Sequence, residues 1–486
     1  MRETSILPYL AIFIQIYRGA FFDFRAGKPK NTPDAVRRAI EPLIRLRHVL
    51  LWSAPSPRTT RGDHRRPWPI DTGSRKTQAP TKRNEAPRTD IMTSPTISFE
   101  LSHSALQARR NAKWNQYGAD VIPAWVADMD FAVAAPIQAA IERIVRERDY
   151  GYPLRNGGKA DRWVADAFAT RMKSRFGWEC SSDLVVPMAD LVQGTCAPIL
   201  AFSDPGDGVV LQVPNYPPFR DTINSTERKL LTLAMRDNGT RHVFDMAELK
   251  KLVDKRTRIF VLCNPQNPTG RVFTREELLA LGEFAIAHDL IVISDEIHSD
   301  LVYPSHQHIP FASLGPDIAA RTVTLNSATK SFNIPGLRCA LIAFGTEALR
   351  DRFHKRIPLR LTGQGNVMGI DATVAAWTEC EPWLDTVMAH LLKARNRLVD
   401  VLAAEAPAIH LHAPEATYLA WLDCRRLNLS TSAFEFFLKN ARIGFSAGEA
   451  FDPDCTQFVR FNFATSMPIL DQMLDRIVTA IRQNER

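Results

Sequence analysis

An α/β fold with a mostly parallel central sheet and a smaller α+β domain is predicted for most of this 486-residue chain. Three observations predict it. Short runs of apolar and β-branched residues recur between positions 209 and 344. Several of them stop at Pro, Asp or Ser, as buried parallel strands do before a turn, and helical patterns lie between them. The runs at 209–212, 259–263, 290–294, 322–325 and 338–344 are the expected strands. Between the second and third, Thr274-Arg275-Glu276-Glu277 is a capping box that opens a helix reaching about residue 288. Its Leu278, Leu281, Phe284, Ala285 and Ile286 are enough to cover one face of a sheet. Residues 160–175 and 391–404 read as further helices. A chain this long can bury a core divided in two. The expected division is an N-terminal arm and part of the smaller domain at 92–139, a large domain at 140–378, and the rest of the smaller domain at 379–486, joined through a long helix.

The formal net charge of +8 is unevenly spread. Residues 1–91 hold 18 Lys/Arg against 8 Asp/Glu, whereas the remainder holds 43 basic and 45 acidic residues. The basic balance therefore describes the N-terminal stretch rather than the body, and no nucleic-acid partner is expected. That stretch lacks sustained periodicity, and from 53 to 94 it is rich in Pro, Arg, Thr and Ser. Three readings apply to it: a disordered extension, a short signal core at 6–17, or an upstream start with Met92 as the working initiator. The apolar core lacks a convincing basic start and cleavage site, and the third reading is preferred. Seven cysteines at 180, 196, 263, 339, 380, 424 and 455 form no C-x-x-C pair. Neither a disulfide scaffold nor a zinc site is expected; the pattern suits a reducing cytoplasm, and no metal is assigned. No apolar run reaches the roughly 18 to 20 residues of a spanning helix, so no membrane association is expected.

The chemistry-bearing residues follow the strands. Lys330 lies in Ser327-Ala328-Thr329-Lys330-Ser331-Phe332-Asn333, just past the fourth strand, with Arg338 eight residues on. Asp295, in Ile293-Ser294-Asp295-Glu296-Ile297-His298, closes the third strand 35 residues before Lys330, and Asn267 precedes Asp295 by 28. A lysine among hydroxyls, preceded by an acid at a strand end, is what a pyridoxal 5'-phosphate (PLP) enzyme needs. The amine forms the Schiff base, the acid pairs with the pyridine nitrogen, and hydroxyls with an arginine hold the phosphate. Taken singly, Lys330 reads as a surface lysine, Asp295 as a helix cap, and Asn264-Pro265-Gln266-Asn267-Pro268-Thr269-Gly270 as a rigid turn. The ordered set is specific. Asn267 can also donate to the cofactor's ring oxygen, Tyr216 in Pro214-Asn215-Tyr216-Pro217 offers a face to stack on the ring, and Gln193-Gly194-Thr195 suits a phosphate-binding turn entering a helix.

These motifs resemble the fold-type I PLP enzymes, the class I/II aminotransferase superfamily, and most nearly its MalY/PatB-like carbon–sulfur β-lyases of the cystathionine β-lyase type. The likeness runs from about Lys113-Trp114 to Asn462-Phe463-Ala464. Its most specific parts are Trp125-Val126-Ala127-Asp128-Met129-Asp130-Phe131, the Asn264 turn with Cys263 and Arg271, the Asp295 to Leu301 segment and the Lys330 to Leu337 segment. The resemblance implies Lys330 as the Schiff-base lysine, Asp295 at the pyridine nitrogen, Asn267 at the ring hydroxyl and Tyr216 as the stacking residue. It places Ser327, Arg338, Gly194 and Thr195 on the phosphate, and His298 where many aminotransferases carry a tyrosine bonded to the ring oxygen. Tyr152 would reach the phosphate of the neighbouring subunit in a homodimer with shared sites. Arg460 would clamp the substrate α-carboxylate, for which its planar fork is suited; without the likeness it could equally be a buried structural pair. One departure stands out. Where many of these lyases have an apolar turn, this chain has Ala189-Asp190-Leu191-Val192-Gln193, with polar side chains near the cofactor face.

The implied reaction is cleavage of the Cβ–S bond of cystathionine or another cysteine S-conjugate to a thiol, pyruvate and ammonia. Transamination is the alternative, because the same lysine moves the proton in both. A non-catalytic PLP-binding regulatory protein is a third, which intact Lys330, Asp295 and Arg460 disfavour.

Overall fold

Seven strands form the central sheet of the computed structural model, which describes residues 102–155 and 157–484. The expectations about residues 1–91 lie outside the described residues. In chain order the strands are β1 (Val185–Met188), β2 (Gly208–Val213), β3 (Lys229–Ala234), β4 (Thr257–Cys263), β5 (Ile291–Asp295), β6 (Thr322–Asn326) and β7 (Ala340–Phe344). In space the order is β1-β7-β6-β5-β4-β2-β3. The five from β6 to β3 run parallel, and β7 is antiparallel to both its neighbours.

The parallel strands are apolar on both faces because helices cover both. Val209, Leu211, Val261, Ile293 and Leu325 pack into one cluster, while Val210, Phe260, Leu262 and Val292 pack into another on the opposite side. Helix α1 (Arg275–Ala287) contributes Leu278, Leu281 and Ala285 to the second cluster. Its capping box is present, with Thr274 Oγ1 accepting from Glu277 N at 3.3 Å and Glu277 Oε2 accepting from Thr274 N at 2.7 Å. All five expected strands form, and β1 and β3 extend the sheet on either side.

A second, three-stranded antiparallel sheet holds β8 (Leu419–Asp423), β9 (Ser446–Ala447) and β10 (Phe458–Asn462) in the order β8-β10-β9. Helix α2 (Glu381–Glu405), longer than its expected 391–404, packs against α3 (Met467–Asn484). Among the described residues no helix is long and apolar enough to cross a membrane. All seven cysteines are free.

Candidate active site

The sheet order β6-β5-β4-β2 sets the carboxyl ends of four neighbouring parallel strands along one edge, which is where ligands bind in open α/β sheets. Asp295 is in register with Leu325 on one side and Cys263 on the other. The polar segments that follow these strands therefore lie side by side: Ser327 to Lys330, Asp295 to His298, Asn264 to Asn267, and Asn215 with Tyr216. Gln266 ties two of them together, since its Nε2 donates to Pro214 O at 2.7 Å while its Oε1 accepts from Thr269 Oγ1 at 2.6 Å.

Lys330 Nζ donates to Ala127 O at 2.8 Å, and among the described residues Lys330 makes no ion pair. Burial lowers its ammonium to about 8, Asp128 and Asp295 raising it and Arg460 lowering it further. Asp295 is 5 % exposed and, among the described residues, its carboxylate accepts only from Ile297 N, at 3.1 Å. Burial pushes its carboxyl up to about 7. The His298 imidazole is buried with Nδ1 unpartnered, and burial drives it down to about 3, so the ring is neutral. Glu296, next to Asp295, is fully committed elsewhere, to His308 Nε2, Ser294 Oγ and Phe311 N.

Arg460 lies on β10, 5 % exposed. Its Nη1 donates to Asn267 Oδ1 at 3.0 Å, and its Nη2 donates to Trp125 O at 2.7 Å and Ser446 Oγ at 3.1 Å. Nε has no partner, and among the described residues no carboxylate pairs with this guanidinium. Burial lowers it to about 10. Its carbon lies 4.8 Å above the Phe451 ring. A buried arginine served only by neutral acceptors is poised for an anion.

At the other end Arg338 Nη1 pairs with Asp190 Oδ2 at 2.5 Å. Asp190 also caps the helix Leu191–Phe202, its Oδ1 accepting from Gln193 N at 2.9 Å. Gly194 and Thr195 fall inside that helix rather than in a turn before it. The Gly194 amide bonds Asp190 O and the Thr195 hydroxyl bonds Leu191 O, so Thr195 offers its hydroxyl inward, because the helix begins three residues before Gly194. Ser327 is likewise engaged, its Oγ donating to Cys339 O at 2.6 Å. Tyr216 starts the helix Pro217–Ser225, 37 % exposed, with its hydroxyl among the charges of Arg460, Asp295, Asp190 and Arg338. Tyr152 stands apart at 96 % exposed.

Several positioning residues were not singled out in the sequence. Tyr418 OH donates to Ala127 O at 2.9 Å, sharing the acceptor of Lys330. Asn333 and Asn462 clamp the 125–131 segment that supplies this carbonyl. Asn333 bonds Met129 N, Met129 O and Phe131 O, and Asn462 Nδ2 bonds Val126 O and Asp128 O. Asn333 and Asn462 were visible only as members of motifs.

The arrangement fits PLP. Among the described residues neither Asp295, a buried carboxylate suited to a pyridinium partner, nor the Lys330 amine makes an ion pair. His298 Nδ1 is an orphan beside them. The Asp190–Arg338 pair marks the anion end.

A family model described as aminotransferase class I and II matches residues 171–480. Cystathionine beta-lyase PatB of Bacillus subtilis (strain 168) is 33% identical over 379 residues, 76% of this chain and 97% of that protein. The solved structure of OvoB aligns with a TM-score of 0.73 at 35% identity, over 79% of this chain and 98% of its own. The PLP-bound C-S lyase from Staphylococcus hominis aligns with a TM-score of 0.73 at 29% identity, over 79% and 100% respectively.

Proposed function

Because the chain belongs to the class I and II aminotransferase family, in its MalY/PatB branch, we propose that it is a PLP-dependent carbon–sulfur β-lyase. It cleaves the Cβ–S bond of cystathionine or another cysteine S-conjugate to a thiol, pyruvate and ammonia. The observation that carries amino-acid chemistry is the pairing of an acid-free buried guanidinium, Arg460, with an acid-free amine, Lys330, in one site. Elimination is favoured over transfer by the likeness to PatB along almost its whole length.

In this reading Lys330 holds the cofactor's aldehyde carbon, Asp295 its pyridine nitrogen, and Asn267 with His298 its ring oxygen. The Asn267 carbonyl oxygen is taken by Arg460, so its amide N–H group is the one left to donate. Tyr216 flanks the ring, and Arg338, Ser327 and the helix start at Leu191 serve the phosphate, Gly194 and Thr195 lying one turn further in. When bound, PLP supplies the sink for the electron pair left on the α-carbon. Arg460 binds the substrate carboxylate. Lys330, released to act as a base, takes the α-proton; its depressed pKa leaves a useful fraction unprotonated near neutrality. The Cβ–S bond then breaks with its electron pair leaving on sulfur, and the Lys330 ammonium is the acid at hand. Tyr418 and Lys330 share the Ala127 carbonyl, which keeps the amine near its working position as it changes charge.

Residues 140–378 then form the cofactor-holding domain, with 92–139 and 379–486 the smaller one. The working unit is a cytoplasmic homodimer in which Tyr152 serves the partner's phosphate. The deciding experiment measures pyruvate and free thiol from L-cystathionine and an S-alkyl cysteine without added keto acid. Release of both is expected. Activity that requires a keto acid, with amino transfer to 2-oxoglutarate and no thiol, would make the protein a transaminase.

A further inference from the structure

We propose that Asp237, His410 and His412 form a binding site for a divalent transition-metal ion of the borderline class that includes Zn2+. The site shares no residue with those assigned to PLP or its substrate, and although His410 and His412 form a His-x-His pair, the acid lies 173 residues before His410, so the sequence led to no expected metal.

Local structure aims the two imidazoles together. His410 pairs with Asp423 through a two-way backbone bridge, His410 N to Asp423 O at 2.9 Å and Asp423 N to His410 O at 3.0 Å. Alternation along the extended His410-Leu411-His412 segment turns both rings to one side and sends Leu411 toward the core. Asp237 arrives from far away in sequence, on the two-stranded ladder of Arg236–Asp237 with His242–Val243. Its Oδ1 is held by Gly239 N at 2.7 Å.

Three side chains converge. His410 Nε2 lies 2.9 Å from Asp237 Oδ2, His412 Nε2 lies 2.8 Å from Asp237 Oδ1, and the two Nε2 atoms are 3.3 Å apart. Hydrogen bonds to the carboxylate account for the first two contacts. They leave the third as two N–H groups brought face to face, with no attraction to offset the approach. A shared ion removes that conflict, because both nitrogens and a carboxylate oxygen would then point lone pairs at one centre. Ligands about 2.0 to 2.1 Å from a metal are separated by roughly 2.8 to 3.4 Å along the edges of octahedral or tetrahedral polyhedra. The observed spacings of 2.8, 2.9 and 3.3 Å fall within that range.

The donor set selects the ion. Two imidazoles and one carboxylate suit zinc and its transition-metal neighbours, whereas calcium and magnesium prefer all-oxygen sites. The cluster opens on a cavity of about 330 Å³, which leaves coordination positions for water. Asp237, His410 and His412 are 30 %, 34 % and 14 % exposed in their side chains, so an ion can enter without unfolding. His242 walls the cluster, its ring edge-on to His412 at 5.2 Å and its Nδ1 buried without a partner. Arg425 faces the same cavity, but its charge is matched by Asp423 at 2.6 Å. Bound metal would cross-link the 236–243 ladder to the 410–412 segment.

The test uses tag-free holoenzyme, stripped of metal by dialysis against a chelator and titrated with Zn2+ by calorimetry. One ion per chain is expected, with a rise in melting temperature. Asp237→Asn, which preserves size but removes the charge and one acceptor oxygen, and His412→Ala should each weaken binding at least about tenfold and cancel the rise. Cys455 lines the same cavity, so Cys455→Ser is the comparison and should change neither. Co2+ should give a visible band in the parent that Asp237→Asn removes. Melting temperature without metal and cofactor absorbance verify each variant's fold, and Asp237→Asn decides alone if His412→Ala misfolds. No stoichiometric binding, binding undiminished in Asp237→Asn, or binding lost only in Cys455→Ser would each overturn the assignment.

Discussion

Asp295 without its cofactor is a carboxyl whose titration is lifted from 3.8 to about 7, because burial outweighs the one N–H bond it receives. The folded chain thus holds this proton more tightly than the unfolded chain does. The resulting stability is complete below about 3.8 and is lost as pH rises through about 7. Cofactor-free protein should therefore lose melting temperature across that window, and Asp295→Asn should flatten the decline while weakening cofactor retention; parallel slopes for parent and variant would refute the assignment. Arg460 carries the opposite risk, a buried cation with only neutral acceptors. Arg460→Ala should weaken carboxylate-bearing inhibitors by on the order of 2 to 5 kcal/mol, and Arg460→Lys should recover only part, since an ammonium lacks the planar fork. Inhibitors that bind the alanine variant as tightly as the parent would make Arg460 structural. Lys330, Asp295 and Asn267 were legible because each lies at or just past a strand end and their order is distinctive. Tyr418 was not, since an aromatic next to a strand reads as core until its hydroxyl is seen on Ala127 O.

At the scale of elements, the helix Leu191–Phe202 shows a cap and a charge competing at one residue. Asp190 caps the helix and also occupies Arg338, the arginine expected on the phosphate. Asparagine caps as well as aspartate does, so Asp190→Asn separates the two effects. Helix stability should be unchanged and cofactor loss on dialysis slower, as a like charge beside the phosphate disappears and Arg338 is released. Faster loss would mean that the carboxylate orients Arg338 productively. The strands flanking this helix were legible in part. The doubly buried runs of β2, β4, β5 and β6 announce themselves, whereas β3 alternates exposed and buried positions at the edge of the sheet. Helix α2 begins at Glu381, ten residues before the expected 391, with Pro382 in its first turn, where proline is favoured.

For the whole molecule, Tyr152 at 96 % exposure, with Leu359 and Leu361 at 60 % each, presents apolar side chains that a single chain leaves uncovered. In the proposed dimer Tyr152 meets the partner. Sizing at assay concentration should give a species of twice the 54.7 kDa chain mass, and Tyr152→Phe should loosen cofactor binding without changing that size. A fully active monomer would be incompatible with a shared site.

By itself the sequence determined the α/β class, the strands whose ends deliver Tyr216, Asn267, Asp295 and Lys330, and through them the cofactor. Those features are written locally, in the burial of whole strands and in the polar clusters that must follow them. Only the tertiary structure decided which side chains meet across the chain. It set Arg460 on Asn267 and Trp125 O, Tyr418 and Lys330 on one carbonyl, Asp190 on Arg338, and Asp237 between His410 and His412. Such pairings depend on strand order and register, and no local periodicity records which distant segment a sheet edge will face.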